Sequence, residues 1–192
     1  AMLVWSGSFK IECEVSQMQS TRLVAGVSDD DFSWTLEPGG QFAAPEVLFS
    51  YSDAGLSELS ARYHHFLQHN IIRSVWRDKP RPILINNWEA TYMDFDGQRI
   101  LDIARQAREL GVEMLVLDDG WFGQRSDDAS GLGDWQVNEQ KLGCTLDELI
   151  GKVREMGLLF GLWIEPEMVC ANTALYAAHP DWALTIPGRA PT

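Results

Sequence analysis

The chain has 192 residues, 45% hydrophobic and 22% charged, with 15 basic side chains against 28 acidic ones and a formal net charge of −13. That composition is globular and long enough for one or two domains. The acidic excess argues against a nucleic-acid or anionic-membrane partner. The three cysteines, Cys13, Cys144 and Cys170, are widely spaced with no CxxC pair, so neither a disulfide framework nor a zinc site is indicated, and a cytoplasmic location is expected. There is no long apolar span. Eight tryptophans are many for this length, and tryptophan offers the broad apolar face with a polar edge that ligand clefts use.

Residues 2–5, 9–15 and 21–27 are short apolar or alternating runs, and Phe32, Trp34 and Leu36 alternate with polar neighbours. With Asp29–Asp31 and Pro38–Gly40 as turns between them, the pattern predicts antiparallel strands. Leu56, Leu59, Tyr63, Phe66 and Leu67 recur at helical spacing and predict a helix over 55–70. His65 and His69 share one face of it, but without HExxH or a third ligand the pair reads as solvated or locally bonded rather than metal-binding. Residues 74–81, with Trp76 and Pro80, read as a linker.

From Pro82 the pattern changes. An apolar run at 82–90 ends in Trp88 and Glu89. A helix is predicted over 97–110, with Ile100, Ile103, Ala104, Ala107 and Leu110 on one stripe and Gly111 closing it. The apolar run Met114–Leu117 reads as a strand buried on both faces, and it stops abruptly at Asp118 and Asp119. A loop rich in glycine, aspartate and tryptophan fills 120–144. Thr145 with Glu148 is a capping-box signature, opening a helix with Leu146, Leu149, Ile150, Val153 and Met156 inward and Gly157 at its end. A third run, 158–164, ends at Trp163, Glu165 and Glu167. Residues 82–167 therefore read β-α-β-α-β, which implies parallel strands.

Parallel strands bring their carboxyl ends to one rim, where α/β folds place ligand sites. Two buried carboxylates need donors, which either a basic side chain, a helix terminus or a polyhydroxylated ligand supplies. Carboxylates that accept from hydroxyls, beside indoles that cover C–H faces, suit a neutral sugar. Phosphate would want glycine-rich amides and cations, and neither GxGxxG nor GxxxxGK[ST] is present.

The segments Asn86–Tyr92, Leu117–Gly123, Leu132–Trp135, Gly161–Val169 and His179–Trp182 together resemble the α-galactosidases of glycoside hydrolase family 36, in the melibiase clan. The similarity runs over essentially the whole chain. It implies an α/β fold: antiparallel strands from the tail of a β-supersandwich at 1–54, a helical linker at 55–81, and the first three βα units of a (β/α)8 TIM barrel at 82–192. It also implies a retaining exo-hydrolase that releases terminal α-1,6-linked galactose from melibiose- and raffinose-type oligosaccharides, with no cofactor or metal, commonly as a homo-oligomer. Asp118 and Asp119 would bind galactose hydroxyls and Trp88 and Trp163 would wall the pocket, with Trp121 and Glu165 as weaker candidates. The family's nucleophile and acid/base, both aspartates, are expected beyond Thr192, so the chain reads as an internal piece of a larger enzyme, inactive alone. Asp118 and Asp119 are neighbours on one strand end and do not flank a bond as a retaining pair must, at about 5–5.5 Å separation. Glu165 or Glu167 opposite Asp118 is the alternative pairing. A non-catalytic sugar-binding or assembly module is the alternative function. Leu84, Leu115, Val116 and Leu162 are read together as the barrel's inner face. Without its other half the isolated chain is expected to self-associate through open sheet edges.

Overall fold

The computed structural model describes residues 1–30 and 32–189 and divides into two units, Ala1–Lys79 and Pro80–Thr192. In the first unit, β1 (Met2–Leu3) pairs antiparallel with β4 (Val47–Leu48), Met2 opposite Leu48. β2 (Phe9–Val15) and β3 (Thr21–Val27) form a hairpin in register from Phe9↔Val27 to Val15↔Thr21. The period-2 pleat puts Phe9, Ile11, Cys13 and Val15 on one face with Leu23 and Ala25, and Lys10, Glu12, Glu14 and Arg22 on the other.

The alternating run Phe32–Leu36 is not a strand; it is irregular chain. Its alternation is used differently: Phe32 and Trp34 both pack on Phe42, with ring centroids 6.2 and 5.4 Å away. Asp31 of the Asp29–Asp31 turn lies outside the described residues. The predicted helix is α1 (Leu56–Phe66), continued by a π-helical turn at Leu67–Ile71. His65 and His69 stack at 4.0 Å, and His69 Nδ1 is hydrogen-bonded to the His65 carbonyl, a local contact across one turn. A short 3-10 turn at Val75–Arg77 follows.

The second unit holds β5 (Leu84–Asn86), β6 (Met114–Leu117) and β7 (Leu159–Leu162), parallel and in that order, with Leu84↔Met114↔Leu159 in one row. Trp88 and Glu89 lie not on the first strand but on a one-turn helix, α2 (Trp88–Thr91), because the Thr91 hydroxyl and Asn87 carbonyl close a turn there. The crossovers carry α3 (Gly97–Glu109) and, after α4 (Glu139–Leu142), α5 (Leu146–Glu155). Asp96 caps α3, its side chain accepting from the Arg99 amide at 2.8 Å. Ile100, Leu101, Ala104 and Ala107 are buried, but Leu110 is 84% exposed. Leu110 is the C-terminal flanking residue, and the reversal at Gly111 (φ 85°) begins there, so the stripe ends one turn early.

The capping box at Thr145 is present in both directions. The Thr145 hydroxyl accepts from the Glu148 amide, and Glu148 Oε2 accepts from the Thr145 amide at 2.9 Å. The Thr145 amide first, and then the Thr145 hydroxyl, which donates to the same Oε2 at 3.1 Å, hold the Glu148 carboxyl below its ordinary value. Thr145→Ala is expected to lower stability by about 1 kcal/mol, read as a shift in the urea midpoint. Because the folded-state value is depressed, the Glu148 contribution is complete above the unfolded value and fades as pH falls below about 4.3. An acid titration of the midpoint should show a shallower fall for the alanine variant.

Strand β6 is not buried on both faces as its apolar run suggests. Leu115 and Leu117 have no exposure, packed with Ile100, Leu149 and Val153 from the helices, whereas Met114 and Val116 are only half-buried. Register corrects the inner face as well. Leu115 pairs with Phe160 and Leu117 with Leu162, so Leu115 and Leu162 share the helix side, while Leu84 and Val116 share the other. The core of this unit therefore lies between sheet and helices. It continues past the strand ends through Trp121, Phe122 and Leu132.

Candidate functional site

The carboxyl ends of β5, β6 and β7 are tied together by side chains. Asn87, fully buried just past β5, accepts from the Asp118 amide through Oδ1 (2.8 Å) and donates through Nδ2 to Thr91 Oγ1 (2.8 Å). The Trp163 amide donates to the Leu117 carbonyl (2.9 Å), and Trp121 Nε1 donates to the Trp163 carbonyl (3.0 Å). The end of β6 is thus held from both neighbouring strands.

Asp118 and Asp119 are 7% and 5% exposed. Asp118 Oδ1 accepts from the Asp119 amide at 2.9 Å, and its Oδ2 has no protein donor among the described residues. The donors for Asp119 come from Arg125, which is 4% exposed. Nε meets Oδ1 at 2.7 Å and Nη2 meets Oδ2 at 2.6 Å, and Nη1 donates to the Ser130 carbonyl at 2.6 Å. This is the bidentate fork that a guanidinium makes with a carboxylate. Hydrogen bonding to Asp119 pushes Arg125 above its ordinary value despite burial. A second cation supports the turn that follows. Lys141 Nζ donates to the Gly120 carbonyl (2.8 Å) and sits 4.3 Å over the Phe95 ring. Burial pulls its ammonium below the ordinary value, against the pull of Asp119 and Asp94. Gly120 has φ 94°, and a Cβ there would lie 2.8 Å from Met93 Sδ and 3.0 Å from Lys141 Nζ, so the chain can turn under Lys141 only at glycine.

The aromatic residues divide. Trp121 is 4% exposed and belongs to the core with Phe122; its part is to hold the Trp163 backbone. Trp163 is half-buried, its ring stacked on Phe122 at 6.5 Å and 6.4 Å from Trp135. Trp88, also half-buried, meets Tyr92 edge-on at 5.2 Å. Glu165 is half-buried and acts electrostatically on Arg125; Glu167 is exposed. Asp134 serves as a clamp instead, its two oxygens accepting from the Ala174 and Leu175 amides at 3.0 Å each, at the start of α6 (Ala174–Ala178).

The structure therefore joins Asp118, Asp119 and the Trp163 backbone into one bonded strand-end assembly and places Trp88 one residue from Asn87, which anchors Asp118. Sequence reasoning passed over Arg125, Lys141 and the bridging role of Asn87. Its one relevant signal was that buried carboxylates need donors; Arg125 is the basic residue in the loop just after Asp119.

A family model described as Melibiase matches residues 41–192, and one for the glycosyl hydrolase family 36 N-terminal domain matches residues 1–37. Alpha-galactosidase AgaA of Geobacillus stearothermophilus is 53% identical over 186 residues, which are 97% of this chain and 26% of AgaA. The bifunctional alpha-galactosidase/sucrose kinase AgaSK of Mediterraneibacter gnavus is 52% identical over 190 residues, 99% of this chain and 20% of that protein. A solved variant of AgaA in complex with raffinose superposes with a TM-score of 0.88 at 51% identity, covering 95% of this chain and 25% of that one. The chain thus spans about a quarter, or less, of the relatives it matches. On the match over residues 41–192, the chain belongs to the melibiase family.

Proposed function

We propose that the protein carrying this chain is an α-galactosidase, a retaining exo-hydrolase of terminal α-1,6-linked galactose in melibiose- and raffinose-type oligosaccharides, and that this chain holds part of its galactose-binding rim. The observation that carries the reading is the buried Asp118–Asp119 pair at the end of β6, with Asp118 Oδ2 left without a protein donor among the described residues. The relatives' names and the raffinose complex of AgaA support it. In this reading Asp118 and Asp119 accept galactose hydroxyls and Trp88 and Trp163 face the sugar ring. Trp121 and Glu165 shape the rim from behind. Neither aspartate is the nucleophile, because adjacent residues on one strand end do not flank a glycosidic bond.

The same reading makes β5, β6 and β7 the first strands of a (β/α)8 barrel, with residues 1–54 from a β-supersandwich, 55–81 as a linker and 82–192 in the barrel. The whole protein would be a cytoplasmic homo-oligomer that needs no cofactor.

The test is hydrolysis of p-nitrophenyl α-galactoside by the full-length protein and its Asp118→Ala variant. A hydrogen bond to a charged group contributes about 1.5–3 kcal/mol, so kcat/KM should fall by about 10- to 150-fold with the circular dichroism spectrum preserved. Galactose binding without turnover by the unsubstituted full-length protein would favour the non-catalytic sugar-binding module. An unchanged kcat/KM in the variant would remove Asp118 from the site.

A further inference from the structure

We infer that Arg125 is the positioning residue of the sugar site, setting hexose recognition through Asp119 as well as holding the fold; this rests on the reading that Asp118 and Asp119 accept sugar hydroxyls. A guanidinium that bonds both oxygens of one carboxylate fixes the plane of that carboxylate, not only its charge. Here the fork closes at 2.7 and 2.6 Å, on an aspartate whose own backbone amide is bound by Asp118. With both oxygens engaged, the lone pairs still open on Asp119 point in fixed directions. Those directions decide which hydroxyl configuration is accepted.

Arg125 is itself held from the far side. Its third nitrogen donates to the Ser130 carbonyl, and Asp127 Oδ1 accepts from the Ala129 amide and the Ser130 hydroxyl, so residues 125–130 close on themselves. Gly131, at φ 83°, lies directly over the Arg125 backbone. A Cβ there would approach Arg125 Cβ at 3.2 Å and Cα at 3.3 Å. The small loop and the fork form one unit, and its output is the orientation of Asp119.

Two variants of the full-length enzyme test this, with kcat and KM measured on p-nitrophenyl α-galactoside and on its C4 epimer, the α-glucoside. Arg125→Lys keeps the charge and removes the planar fork. Gly131→Ala keeps Arg125 and presses on its backbone, and it decides the matter if the lysine variant does not fold. Misplacing a positioned group by about 1 Å changes kcat/KM on the order of 10²-fold. Arg125→Lys should show a loss of that order, carried mainly by KM, with weakened preference for the galactoside. Gly131→Ala should move the same way by less. A role confined to folding lowers the active fraction, hence apparent kcat, and leaves KM and epimer preference unchanged; that result in the folded variants overturns the inference. If the unsubstituted enzyme turns over no galactoside, the underlying functional reading fails and the inference falls with it.

Discussion

Arg125→Met is expected to lower the stability of the protein by about 3–5 kcal/mol, a large part of the roughly 5–15 kcal/mol that holds a domain together. The loss does not come from packing, since methionine fills most of the space of the arginine stem. It comes from Asp119, which is 5% exposed and would keep a buried carboxylate with neither of its two guanidinium bonds. Exposed ion pairs contribute only about 0–1 kcal/mol, and the burial of both partners puts this one in the other class. Replacing both members by apolar residues should recover most of the loss, because a buried pair exchanged for well-packed apolar groups is often neutral or better. Urea unfolding of wild type, Arg125→Met and Asp119→Leu/Arg125→Met measures this directly. A single-variant loss below about 1 kcal/mol would mean that Asp119 reaches water.

Phe122→Ala should have a comparable effect, about 3–5 kcal/mol. Phe122 has no exposed surface and contacts three indoles, with centroids at 5.1 Å for Trp121, 4.4 Å for Trp135 and 6.5 Å for Trp163. Its backbone also bridges to Val137, closing the loop between them. Truncation leaves a cavity that three rigid rings cannot collapse to fill, so the cost should sit at the upper end of the range. Leu110→Ala is the contrasting variant. Leu110 belongs to the apolar stripe read from the sequence yet is 84% exposed, and its truncation should change stability by no more than about 0.5 kcal/mol. Equal losses in the thermal transitions of the two variants would contradict this placement of the core.

The three strands and the two crossover helices of the second unit were legible because each is encoded locally. Asp96 and Thr145 start helices by bonding amides three residues on, Gly111 takes the backbone turn that ends α3, and the run Met114–Leu117 has the length of a strand. The stop at Asp118–Asp119 marked the candidate site, because apolar sequence cannot pass into adjacent carboxylates without a change of environment. Where local pattern misled, a non-local partner was missing from the reading. Phe32 and Trp34 alternate as a strand would, but among the described residues no strand pairs with their segment, and their rings meet Phe42 instead.

By itself, then, the sequence determined the β-α-β-α-β order at the centre of the second unit, its parallel sheet and the family resemblance, and it pointed to the two aspartates; the short helices α2, α4 and α6 were not read. The strands and crossover helices follow from residues within a turn or a strand of one another, the parallel sheet from their order, and the resemblance from segments spread between Asn86 and Trp182. Tertiary structure alone decided which face of β6 is covered, since both faces are apolar and only the pairing of Leu115 with Phe160 and Leu117 with Leu162 separates them. It alone decided that Asn87 holds Asp118 across 31 residues and that Trp121 holds the Trp163 backbone across 42. It also chose Arg125 as the donor to Asp119. A buried charge must find a partner, but which cation reaches it depends on how the loop between them closes.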